Sequence, residues 1–188
     1  MKSENITNVF LSYCRKNNVI ANKIYNYFVM NRKMELHRDI IDIKPWESIK
    51  NYMQSIRCAD YVILLISDEY LKSTNCMYEV LEVMQDQNYR NKIFPVVIDM
   101  GIYKPIRRAE YVRYWENEYQ KLKSVLDKID VQNMGKLNKD LKLCQEISSN
   151  IAEFLDVVSD MNNPRVSDVA FRIEEVLVSN GIIQRERY

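Results

Sequence analysis

Glycine is almost missing from this chain: three in 188 residues, Gly101, Gly135 and Gly181. No GxGxxG turn and no Walker-type loop can be drawn from them, so a nucleotide bound here is bound without a glycine-rich phosphate cradle. Histidine is scarcer still, with His37 alone, and the four cysteines (Cys14, Cys58, Cys76, Cys144) are widely spaced with no CxxC pair. That excludes the usual zinc patterns, so no metal is expected, and it supplies no disulfide framework. Reduced cysteines are the expectation, and with them a cytoplasmic location. Charge of one sign is also lacking: Lys plus Arg number 27, Asp plus Glu 26, and the formal charge is +1. A chain so balanced has no overall electrostatic reason to seek nucleic acid or an anionic membrane. The longest apolar run, Tyr61 to Ile66, is far too short to span a bilayer. The stretch Met1 to Ile6 is polar and short, which reads as no signal peptide.

What is present is globular: hydrophobic residues are 47% and charged residues 28%. Length and composition predict one domain over residues 1–188. Val9 to Tyr13 (VFLSY) reads as a short strand. Ile20, Ile24, Tyr27 and Phe28 follow at helical spacing. Met34 to His37 is a candidate second strand. Arg38 to Glu47 reads as a loop broken by Pro45, and helical spacing resumes at Ile49, Met53 and Ile56. Tyr61 to Ile66 (YVILLI) is a continuous apolar run, the mark of a parallel-sheet strand covered on both faces. Ser73 is placed to cap a helix running to about Gln87. Lys92 to Ile98 (KIFPVVI) is another strand, and Pro95 puts it at a sheet edge. This alternation predicts an α/β fold with a central parallel sheet and right-handed crossovers over residues 8–100. Two long helices, Pro105 to Met134 and Leu137 to Met161, with Gly135 between them, predict a C-terminal helical hairpin over 103–161. A last helix begins near Val166 and stops at Asn180-Gly181, within 164–181.

In open α/β sheets, ligands sit beyond the carboxyl ends of the strands. Three segments should meet there: Ser12 to Arg15, Arg38 to Glu47, and Ser67 to Glu79. Within the third, Cys76, Met77, Val80, Leu81, Val83 and Met84 form one apolar helix face. Glu79 falls on its flank, and Glu82 is expected to point further out toward solvent. A carboxylate bordering the core at the ligand edge is a candidate for catalysis, although a solvated surface glutamate fits the same pattern. The stripe Tyr111, Tyr114, Trp115 and Tyr119, interleaved with arginines, resembles a nucleic-acid face. Its spacing, and the flanking acids Glu110, Glu116 and Glu118, point instead to core packing.

Taken in order, VFLSY, then RDIIDIKPWESI, then YVILLI, then Ser73, Cys76 and Glu79 in an S-x-x-C-x-x-E helix start, and KIFPVVI resemble the Toll/interleukin-receptor (TIR) domain. The resemblance is closest to its bacterial branch and continuous over residues 8–98. Ile102 to Glu116 also resembles an extension of bacterial members. The resemblance implies a flavodoxin-like three-layer fold. It also implies an NAD⁺ glycohydrolase or ADP-ribosyl cyclase activity that cleaves the nicotinamide–ribose bond, with NAD⁺ as substrate and no cofactor. Glu79 would be the catalytic residue, and Tyr13, Cys14, Arg15, Asp39, Trp46 and Cys76 would contact the dinucleotide, with Arg15 on the pyrophosphate. Asp39 opens the segment known as the BB loop (residues 39–48), through which self-association is implied. An antiphage signalling or effector role goes with that branch. The alternative is a scaffold without catalysis, acting by TIR–TIR assembly. Two departures stand out. Trp46 occupies a position where many members carry glycine, and Asn75 stands where several active members carry tryptophan. Nicotinamide stacking from position 75 is therefore lost, leaving Trp46 or Tyr78 as substitutes.

Overall fold

The computed structural model describes residues 7–30 and 34–183. Among these residues four strands form one sheet: β1 (Asn8–Tyr13), β2 (Glu35–His37), β3 (Tyr61–Ile66) and β4 (Ile93–Val97). Every pairing is parallel, and the order is β2-β1-β3-β4. Parallel neighbours need a crossover, and the chain supplies helices for each one.

The run YVILLI is apolar throughout because the sheet is covered on both faces. Val62, Leu64 and Ile66 enter one core with Met77, Val80, Trp115, Ile151 and Phe154. Ile63 and Leu65 enter the other with Ile24, Phe28, Ile173 and Leu177. The first face is built by α3 (Ile49–Ser55), α4 (Asp68–Leu71), α5 (Thr74–Met84), α6 (Pro105–Leu126) and α7 (Leu137–Asp160). The second is built by α1 (Asn18–Met30) and α8 (Val169–Ser179). This is a three-layer, doubly wound sheet of the flavodoxin type with C-terminal helices added.

β4 lies at the edge, as its proline requires. Lys92 O accepts from Val62 N at 2.8 Å, and Ile98 N donates to Ile66 O at 2.8 Å. In that alternation the backbone of Pro95 faces the open side, where no donor is needed.

Several boundaries differ from the sequence expectation. The segment 38–47 is not all loop, because α2 (Asp39–Asp42) forms a helical turn within it. The Asp42 carboxylate organises that turn: it accepts from Arg38 N at 2.7 Å and from the Tyr52 hydroxyl at 3.0 Å. α5 ends at Met84 rather than Gln87, and α6 at Leu126 rather than Met134. The remainder of the connection holds a 3-10 turn and Gly135 at φ 50°, a backbone conformation that suits glycine. α8 starts at Val169, three residues after Val166.

The aromatic stripe on α6 packs inward. Tyr111 and Trp115 are each 1% exposed, and Trp115 Nε1 donates to Leu71 O at 2.8 Å. Tyr119, farther along, is only half-buried. Among the described residues no helix is long and apolar enough to cross a membrane.

Candidate functional site

The site is built where β1 runs out. Side chains alternate along a strand, so its last two residues leave in opposite directions. Tyr13 packs in the core shared with α1, while Phe10, two residues before Ser12, packs in the core shared with α5. Ser12 therefore faces α5, where its Oγ donates to Glu79 Oε2 at 2.5 Å. The same Oγ lies 2.7 Å from the Tyr70 hydroxyl. Ser12 has one hydroxyl proton, so with an ionised Glu79 the chain runs Tyr70 to Ser12 to Glu79.

Three serines fix the elements around this pair. Ser67 Oγ accepts from Tyr70 N at 3.1 Å and starts α4. Ser73 Oγ accepts from Cys76 N at 3.4 Å and starts α5. Ser48 Oγ accepts from Asn51 N at 3.3 Å and starts α3. Each satisfies an N–H that the first helical turn would leave without a partner.

These elements enclose a cleft of about 390 Å³ at the carboxyl edge of the sheet. Tyr13, Cys14, Arg15, Asp39, Cys76 and Glu79 all line it. Its apolar wall comes from Ile43, Ile49 and Met53. Six of the seven site residues expected from the sequence thus share one cavity. Trp46 does not line it; its side chain is wholly exposed. Asn75 is on the wall in the position where tryptophan would stand, and Tyr78 is not.

Glu79 is buried, at 7% exposure, deeper than a helix-flank position alone suggests. Burial raises its carboxyl from an ordinary 4.5 to about 8; the bond from Ser12 opposes the rise and the Asp39 charge adds to it. Cys76 is likewise held as a neutral thiol, well above its ordinary range, by burial first and then by the charge at Glu79. At the mouth, Arg15 Nε lies 3.7 Å from Asp39 Oδ2, with the arginine side chain mostly exposed. Among the described residues no group of His, Cys, Asp and Glu is placed to hold a metal ion.

On the opposite side of β1 sits a residue the sequence reading passed over. Arg38 is 1% exposed and hydrogen-bonds neutral partners: Asn22 Oδ1 at 2.7 Å, Asn18 Oδ1 at 2.7 Å and the Tyr13 hydroxyl at 2.8 Å. Its guanidinium also lies 4.8 Å from the centre of the Tyr13 ring. Arg38 thereby ties the start of α1 to the end of β1 behind the cleft. Nothing in the pattern announces it, because an arginine before an aspartate reads as loop. Ser12 did carry a signal: it is the polar residue in an otherwise apolar buried strand.

Glu82 corrects a second expectation. It does not point to solvent but is 4% exposed and paired with Arg57. The turn between α3 and β3 brings the arginine over α5, and a buried carboxylate needs such a partner.

A larger groove, about 830 Å³, runs between the open edge of β4 and α8. Its charged pair, Arg172 and Glu175, is satisfied internally at 2.7 Å, and among the described residues no buried titratable group opens into it. The smaller cleft is where the chemistry converges.

A doubly wound parallel sheet with a carboxyl-edge cleft and a buried acid defines the class. A family model described as a TIR domain matches residues 9–126. The chain belongs to the TIR family. No curated protein matches it.

Proposed function

We propose that the chain cleaves NAD⁺ at the nicotinamide–ribose bond, with Glu79 as the catalytic residue. One observation carries this reading: a buried carboxyl, held by a serine hydroxyl, opens into a cleft large enough for part of a dinucleotide. The bond between C1′ of the ribose and the pyridinium nitrogen breaks with its electron pair going to nitrogen, so nicotinamide leaves neutral. Positive charge passes to the ribose, as in glycosidase transition states. An ionised Glu79 facing that ribose stabilises the charge in surroundings where water is scarce. Water then adds at C1′ and releases a proton, giving ADP-ribose. Attack by another group of the same molecule gives a cyclic product instead. Arg15 at the mouth suits the pyrophosphate, exchanging Asp39 for phosphate oxygens.

The test is chromatography of products after incubation with NAD⁺ at high protein concentration. Nicotinamide should accumulate, and Glu79→Ala should abolish it with the fold intact. Persistence of NAD⁺ at every concentration would exclude the reading.

A second reading is assembly without catalysis, since TIR domains commonly self-associate. The observation behind it is the turn Lys44–Glu47. Glu47 N donates to Lys44 O at 3.1 Å, Pro45 holds the second position, and Trp46 takes the third with φ 69°. That is the type II pattern, whose third residue is ordinarily glycine. It carries a fully exposed tryptophan, and Ile41 and Ile49 of the same segment are exposed as well, so residues 39–49 offer apolar side chains to a second copy. Sedimentation of the wild type against Trp46→Ala measures its contribution. The two readings are compatible, and an assembly that completes the cleft would make turnover rise steeply with concentration.

A further inference from the structure

The cleft holds two carboxyl groups and one guanidinium, and the guanidinium stands by Asp39 at the mouth. The groups that interact with Glu79 itself are neutral or acidic. Ser12 comes from β1 and Tyr70 from α4; Tyr52 comes from α3, Cys76 from α5 itself, and Asp39 from α2. The titratable thiol of α7, Cys144, interacts with Glu118 and Asp140 instead. No lysine, arginine or histidine among the described residues forms an ion pair with Glu79. The N-terminus of α5 does not substitute, because Glu79 is the sixth residue of that helix and the end effect fades within the first turn. Glu82, one turn further along, shows the contrast: it is equally buried and has its arginine.

A buried carboxyl without a cation keeps its proton. That conflicts with the task set for Glu79, which needs the negative charge. We infer that the substrate supplies the missing cation: Glu79 holds a proton while the cleft is empty and releases it when a positively charged ring seats against it. The inference rests on the NAD⁺ reading of this cleft and adds a selection rule. Oxidised nicotinamide dinucleotide, whose ring is a cation, binds with loss of a proton. The reduced dinucleotide, whose ring is uncharged, binds without it.

The step is simple to balance. The O–H bond of the Glu79 carboxyl breaks, the electron pair stays on oxygen, and the proton passes to buffer. The Tyr70–Ser12 chain is already arranged to donate toward the resulting carboxylate. Burial holds the empty-site carboxyl up at about 8, so near pH 7 it is mostly protonated. Linkage then requires affinity for the cationic ligand to rise up to about tenfold per pH unit below that value, and to level off above it.

Isothermal titration calorimetry on the full chain tests this. The cationic probe is carbocyclic NAD⁺, in which a methylene replaces the ribose ring oxygen so that the bond to the pyridinium resists cleavage. The neutral probe is NADH. Titrations at pH 7 in buffers of different ionisation enthalpy give the protons exchanged on binding. The expected result is release of most of a proton per carbocyclic NAD⁺ bound, less as pH rises to about 9.5, and none with NADH. Glu79→Gln should bind the cationic probe with no release. Binding without release in the wild type, equal release with both probes, or release persisting in Glu79→Gln would each overturn the inference. If NAD⁺ is turned over while carbocyclic NAD⁺ binds without releasing a proton, the inference fails and the NAD⁺ reading stands. If neither probe binds and NAD⁺ is left intact, both fail.

Discussion

Replacing Glu79 by glutamine tests the electrostatics of the cleft without any ligand. Glutamine keeps the shape and can accept from Ser12, but it cannot ionise. In the unfolded chain Glu79 loses its proton near its ordinary 4.5; in the folded chain burial delays that loss to about 8. Between those values the native state binds the extra proton, so rising pH destabilises the fold through this group. At about 1.4 kcal/mol per pH unit the full window is worth at most about 5 kcal/mol. Water entering the open cleft lowers this, and about 2–4 kcal/mol is expected. The assay is urea unfolding of wild type and Glu79→Gln at pH 5, 6, 7, 8 and 9. The variant should gain stability relative to wild type steadily from pH 5 to 8, and the difference should flatten beyond. A difference constant across that range would refute the claim that Glu79 is desolvated.

Three further substitutions probe the frame around the site. Trp46→Gly should raise stability by about 0.5–1 kcal/mol in urea unfolding, because the position has φ 69° and a left-handed residue with a side chain is strained. Arg38→Met should cost about 2–4 kcal/mol, since Asn18, Asn22 and Tyr13 each lose a buried donor. Arg38→Lys, which reaches fewer of those oxygens at once, should recover only part of it in the same assay. Trp115→Phe should lower stability by about 2–3 kcal/mol in thermal or urea unfolding. It strands the Leu71 carbonyl and opens space between α6 and the sheet.

The sheet was readable in advance because its strands carry their environment in their composition. YVILLI serves two cores at once, and only a strand covered on both faces tolerates apolar residues at every position. Pro95 marked the edge because a proline nitrogen has nothing to offer a neighbouring strand. Six of the seven candidate residues reached one cleft for an equally local reason: each lies at or just past the carboxyl end of a strand, or in the first turns of the helix that Ser73 caps. What was hidden depends on contacts between segments far apart in the chain. Helical phase puts Glu82 outside the apolar face of α5, and only the fold reveals that Arg57 closes over it. The turn α2 escaped notice because Asp42 stabilises it by accepting from Arg38 and Tyr52, which no periodicity records. Trp46 was read as a departure from glycine, and the structure supplies its backbone meaning. The side chain is exposed outside the cleft, so base stacking from it is not set up in this arrangement.

The most direct measurement is the rate of nicotinamide release from NAD⁺ by wild type and Glu79→Gln, at matched high concentration and at pH 7 to 9. The account predicts turnover by the wild type that climbs with pH toward a plateau, and a loss of at least about a hundredfold in the variant. A glutamine variant that releases nicotinamide as fast as the wild type would contradict it, because the negative charge at that position would then do nothing for the ribose.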